Sequence, residues 1–111
     1  DVCSSDLVER VSAAALVPLG LWFAFSLAAL PDLSLDTVRG FAAVPGHAVL
    51  LALFAATATY HSRLGLQVVV EDYVHAKGVK LVTLLLLNFV HAVLGAAMLL
   101  AIVRLSLGGT A

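Results

Sequence analysis

The sequence predicts an all-α membrane protein of three transmembrane helices running up, down and up. Of its 111 residues, 62% are hydrophobic and only 12% are charged, whereas soluble domains carry about a quarter charged residues. The mean hydropathy is +1.09. Three uncharged runs hold the excess, 11–31, 40–62 and 81–103. Each matches the roughly 20 residues needed to cross a hydrocarbon core about 30 Å thick, and little chain is left for a soluble domain.

The elements follow in order. DVCSSDL, residues 1–7, is what one reading frame of a common sequencing-library adapter translates to. It is expected to be non-native, with the native N-terminus missing and residues 8–111 forming a single membrane domain. This sets aside Cys3, the only cysteine, and with it any reading of redox compartment. The first apolar run lacks a basic leader and is too long for the apolar stretch of a signal peptide. The first helix is expected over about 11–30, with Trp22 and Phe23 inside it and Pro18 as a mild kink. Pro31-Asp32 stops it. The connection PDLSLDTVRGFAAVPG reads as polar and turn-rich, and Pro45-Gly46 as the entrance to a second helix over about 45–70. That helix, about 39 Å at helical rise, must tilt or project beyond the core. The link EDYVHAKGVK leads to a third helix, about 79–105, and a glycine-rich end.

Charge sets the expected orientation. Arg10, Arg63, Lys77 and Lys80 fall on the side shared by the N-terminus and the second connection, Arg39 and Arg104 on the other. Lys/Arg excess marks the cytoplasmic side, so the N-terminus is expected in the cytoplasm. A net charge of −1 without a basic cluster gives no footprint for nucleic acid, and no phosphate-cradling loop or zinc-spaced Cys/His set is present.

The stretch YHSRLGLQVVVEDYV, residues 60–74, breaks the apolar pattern. At 100° per residue His61, Gly65 and Asp72 share one face of a helix, and Tyr73 stands about 120° round from His61. His61 would lie about 16 Å of helix from Asp72, deep in the bilayer. An ionisable group there points to function by default, and neutral imidazole is a common metal ligand. Gly65 removes a side chain where a flat macrocycle would approach, so the pair suggests a haem pocket with His61 as axial ligand. The plainer alternatives are a histidine bonded to a neighbouring helix and a helix-packing glycine. Tyr73 beside Asp72 offers a phenol donor and a carboxylate to a quinone carbonyl; the alternative is an interfacial anchor and a routine helix end.

The pattern His-x3-Gly-x6-Asp-Tyr, here His61, Gly65, Asp72 and Tyr73 with Gln67 between, resembles the small hydrophobic membrane-anchor subunit of succinate dehydrogenase, the anchor homologous to the bacterial D subunit. The resemblance extends to ERVSAAALVPLGLWFAFSL, where Arg10 precedes Ser12, and covers nearly all the chain from Glu9 onward. It implies half of a heterodimeric haem-binding bundle. His61 looks like one axial ligand of haem b, the other coming from a second membrane-anchor subunit of cytochrome b type. Tyr73 looks like the hydrogen-bond donor to ubiquinone, with Asp72 supporting it. Gly65 and Arg10 resemble haem-pocket residues, Arg10 on the propionate side. FAD and iron–sulfur clusters would lie in a partner flavoprotein subunit and a partner iron–sulfur subunit docked on the cytoplasmic face. The implied role is the anchor of succinate:ubiquinone oxidoreductase, respiratory complex II, in a bacterial inner membrane, with no activity in isolation.

Three rival readings stand beside it. One is the anchor of a related fumarate reductase, running the same electron path in reverse. Another is a self-contained b-type cytochrome, because His91 in an antiparallel third helix falls at about the depth of His61; against it stands a satisfied packing histidine. The last is a structural membrane protein whose polar residues only join helices. His47 and His75 are expected to be solvated or interfacial.

Overall fold

The computed structural model describes residues 2–108, with side chains from Asp6 onward. Among these residues the chain is helical almost throughout: α1 Val2–Ala29, α2 Leu35–Ala43, α3 Pro45–Tyr73 and α4 Lys77–Ser106. The segments Asp6–Ala29, Pro45–Tyr73 and Lys77–Ser106 are each long and apolar enough to cross a membrane. The fold is that of an all-α membrane protein, as the apolar runs predict.

Helix ends depart from the apolar runs for a physical reason. Hydropathy marks the part of a helix that sits in hydrocarbon, whereas a helix continues until its hydrogen bonding is broken. α1 is therefore already helical at Val2, the first described residue, well before Val11, since neither glycine nor proline precedes Pro18. Asp72 and Tyr73 likewise form the last turn of α3, which ends where Val74 turns extended and its N–H closes on the Val70 carbonyl at 2.9 Å. α4 starts at Lys77 and ends near Gly108, whose φ of 76° suits a residue without a side chain.

The first connection, expected to be polar and turn-rich, holds the short helix α2. Ser34 caps α2, its hydroxyl accepting the Thr37 N–H at 3.3 Å, and Asp32 accepts from Thr37 Oγ1 at 2.7 Å and from the Ser34 N–H at 2.9 Å. A single extended residue, Val44, separates α2 from α3, which opens on Pro45 at a position where a missing N–H costs nothing. His47 closes the corner. Its Nδ1–H donates to the Phe41 carbonyl at 3.0 Å, its ring stacks on Phe41 at 4.2 Å, and Trp22 of α1 lies 5.8 Å from Phe41. His47, expected to be solvated or interfacial, is half-buried near the start of α3 and packs against α2.

α3 is the middle of a layer. It packs against α1 and α4, while α1 and α4 do not meet. On α3, Phe54 and His61, which face α1, lie within about 20° of each other, and Thr59, which faces α4, lies about 200° from His61. Phe23 meets Phe54 with ring centres 5.0 Å apart, and a Cβ on Gly95 would stand 3.4 Å from Thr59, so α4 approaches α3 closely at that glycine. Neighbours on opposite sides leave much of α3 bare between them, and α2 packs against both α3 and α4. Among the described residues the buried apolar ones are only Ala42, Ala55 and Leu64.

Candidate functional site

Antiparallel helices place residues equally far from their connection at the same level, and this brings the polar side chains of the apolar helices into three groups. Ser12 and His61 form the first. Ser12 lies 17 residues before the end of α1 and His61 16 after the start of α3. Ser12 Oγ stands 2.8 Å from His61 Nδ1 and 2.9 Å from the Glu9 carbonyl. The carbonyl can only accept, and the hydroxyl has one proton to give it. The network therefore assigns Nδ1–H as donor to Ser12, and of the two neutral tautomers this is the one whose lone pair is on Nε2, directed away from Ser12. Among the described residues Nε2 has no hydrogen-bond partner.

One turn along, Gly65 shares this side of α3, about 40° from His61. A Cβ there would meet nothing within 4 Å. Gly65 is not where α3 packs on its own neighbours; Gly95 and, more loosely, Gly20 against Phe54 do that.

His91 and Ser62 form the second group. His91 is buried, its Nδ1–H donates to the Leu87 carbonyl at 2.9 Å, and its Nε2 accepts from Ser62 Oγ at 3.2 Å. Both ring nitrogens are engaged within the chain. The contrast with His61 separates two histidines that depth alone could not.

Sequence reasoning missed the third group. Arg63 Nη1 donates to Asn88 Oδ1 at 3.0 Å, and the guanidinium carbon lies 5.0 Å from the centre of the Tyr60 ring. The available signal was register: Arg63 lies ten residues before the end of α3 and Asn88 eleven after the start of α4.

Asp72 and Tyr73 are exposed at the end of α3, Tyr73 to 77% of its surface, and neither side chain has a hydrogen-bond or ion-pair partner among the described residues. Arg10 is exposed as well and stands about 160° round α1 from Ser12, so it projects away from the His61 side of that helix. The structure thus joins His61 and Gly65 on one side of α3 and carries Asp72 and Tyr73 on its last turn. It makes no contact between these and Arg10. His75 is exposed in the link. Among the described residues no three His, Cys, Asp or Glu side chains cluster as a metal site.

The family model for the succinate dehydrogenase/fumarate reductase transmembrane subunit matches residues 7–96. The chain belongs to this family. The match spans α2, α3, nearly all the described part of α1 and most of α4, including every residue from His61 to Tyr73. No curated protein and no solved structure matches the chain. As a succinate dehydrogenase/fumarate reductase transmembrane subunit it is a multi-pass membrane component of a larger complex.

Proposed function

We propose that this chain is the D-type anchor of a succinate:ubiquinone oxidoreductase, supplying one axial ligand to haem b and part of the quinone-reduction site. The observation that carries the reading is the state of His61. A ligating histidine usually donates its second ring N–H to an outer partner that fixes its tautomer and orientation. Ser12 is such a partner at 2.8 Å, and Nε2 is left for iron. The open space at Gly65 suits a macrocycle lying along the same side of α3. The residues present therefore fit the group: His61 would ligate it, Gly65 would admit it, and the second anchor subunit would supply the other axial ligand. Haem b, when bound, supplies one-electron exchange. The chain's own part is to orient an imidazole inside the membrane with one ring nitrogen unshared.

At the end of α3 the Tyr73 phenol is free to donate a hydrogen bond to a quinone carbonyl, and Asp72 on the same turn would orient the phenol or take part in proton delivery. The propionate role that the resemblance implies for Arg10 gains no support from its position, on the far side of α1 from Ser12. The flavoprotein and iron–sulfur subunits, bearing FAD and the clusters, would dock at the end carrying Tyr73, on the cytoplasmic side of a bacterial inner membrane. The family includes fumarate reductases, which run the same path in reverse; Asp72 and Tyr73 serve a quinone in either direction.

The test is an absorption spectrum of the complex purified with its natural partners in mild detergent, before and after succinate. Reduced b-type bands in the wild-type complex, abolished in His61→Ala with the subunits still co-purifying, support the assignment. Intact bands in His61→Ala would overturn it.

A further inference from the structure

Among the described residues Arg63 is a cation paired with no anion. Its two contacts are neutral, Asn88 Oδ1 and the Tyr60 ring. It lies about 15 Å of helix from Tyr73. With the 29-residue α3 centred in a hydrocarbon core about 30 Å thick, that is about 8 Å inside the core edge. Nor does the side chain reach for the surface, since Asn88 holds it at its own level on α4. Charged groups at such depth face protein or a cavity and pair with an opposite charge or with backbone carbonyls.

The site around Arg63 is an open groove of about 290 Å³ between α3 and α4, lined by Ala56, Ala92 and Gly95 together with Tyr60, Arg63 and Asn88. Small residues let a neighbouring backbone approach closely. This side of α3 is distinct from the proposed haem side, because Arg63 stands about 200° round the helix from His61 and about 200° from Gly65. One macrocycle cannot contact both. Among the described residues no carboxylate reaches this groove, Glu9 lying near its level but on the α1 side of α3. Glu9 is folded into the α1–α3 crevice with Gln67 and Glu71, and Asp6, Asp32, Asp36, Glu71 and Asp72 lie at helix ends or in links.

We infer that the α3–α4 groove seats a transmembrane helix of a partner subunit and that an Asp or Glu of that helix pairs with Arg63. A phospholipid headgroup is the weaker occupant, since its phosphate belongs at the interface and the guanidinium lies within the core. The inference rests on the multi-subunit assembly that the family implies, not on haem or quinone binding.

The experiment places a photo-crosslinking amino acid at Ala92 in the assembled complex and identifies the adduct by mass spectrometry. The expected adduct is an apolar segment of another subunit carrying a carboxylate. Changing that residue to its amide, or Arg63→Gln, is expected to shorten the lifetime of the complex in detergent about tenfold or more, and the double variant is expected to be no worse than either single one. Ala92→Leu, which fills the groove and leaves the charge, is expected to weaken assembly as well. A lipid adduct, a second copy of this chain, a partner segment without a carboxylate, or additive effects in the double variant would each overturn the inference. Haem bands in whatever Arg63→Gln complex remains separate this outcome from failure of the His61 assignment.

Discussion

Replacing Ser12 by Ala tests the proposed haem ligation without touching the ligand. Ser12 Oγ is the acceptor for His61 Nδ1–H at 2.8 Å, and Ser12 is 6% exposed, so water is not at hand to replace it. A buried donor left without an acceptor costs about 1–3 kcal/mol. Loss of an outer partner of a metal-bound histidine typically lowers affinity about 10–100-fold, which at about 1.4 kcal/mol per tenfold is about 1.4–2.8 kcal/mol. Two independent routes give the same size. Ser12→Ala is therefore expected to retain haem on assembly but release it about 10–100-fold faster to an apo-globin acceptor, with altered axial-ligand features in the electron paramagnetic resonance spectrum. Ser12→Thr keeps the hydroxyl and should behave as wild type. Wild-type release and an unchanged spectrum in Ser12→Ala would refute the claim that this hydroxyl orients an iron ligand.

Gly65→Ala meets nothing within 4 Å inside the chain, so the subunit should fold and insert normally; if a macrocycle lies there, haem content of the purified complex should fall, and unchanged content would place the haem elsewhere. Tyr73→Phe should leave assembly and haem bands intact and lower succinate-to-quinone turnover at least about 100-fold, the low end of what a positioned proton-transfer group contributes; normal turnover would remove Tyr73 from the site. Asp32, in the loop before α2, has its pKa lowered to about 2 from 3.8, first by the Thr37 hydroxyl and then by Ser34. A depressed carboxylate pKa stabilises the loop above about pH 4, and that contribution is lost as pH falls toward 2. A carboxyl titration followed by infrared spectroscopy should find Asp32 near 2 and, in Thr37→Val, closer to 3.8, with nothing changed at neutral pH.

Much of the fold was legible because the bilayer permits few solutions: an uncharged run of about 20 residues must be a helix. Where the chain leaves hydrocarbon that rule lapses, and there the expected boundaries differ from the structure. α2 was hidden inside a connection that looked turn-rich, although Asp32, Ser34 and Thr37 are what a capped helix start requires. The His61–Gly65 face was legible from period alone. What periodicity cannot supply is the partner of each nitrogen, and that distinguishes His61, with one nitrogen unshared, from His91, with both engaged. Arg63 and Asn88 were passed over because each looks unremarkable in its own helix; only the antiparallel register makes them a pair.

In a bilayer, exposed leucine and valine give no reason for association, since lipid is as apolar as they are. The specificity of assembly has to come from close packing and polar groups, and α3 carries such groups on different sides. Toward α1 it presents His61, held by Ser12 with its other nitrogen unshared. Beside α4 it presents Arg63, whose neutral partners leave its charge unmatched. Past the membrane-facing residues it ends on Asp72 and Tyr73, whose side chains have no partner among the described residues. His61 lies beside α1 and Arg63 beside α4, on nearly opposite sides of α3, so one neighbour can share the proposed haem side while another helix occupies the Arg63 groove. The two sides should therefore be separable by mutation, His61→Ala removing haem bands with the subunits still together and Arg63→Gln loosening the subunits with haem bands retained in those that remain. Loss of both properties in both variants would mean that α3 serves a single interface.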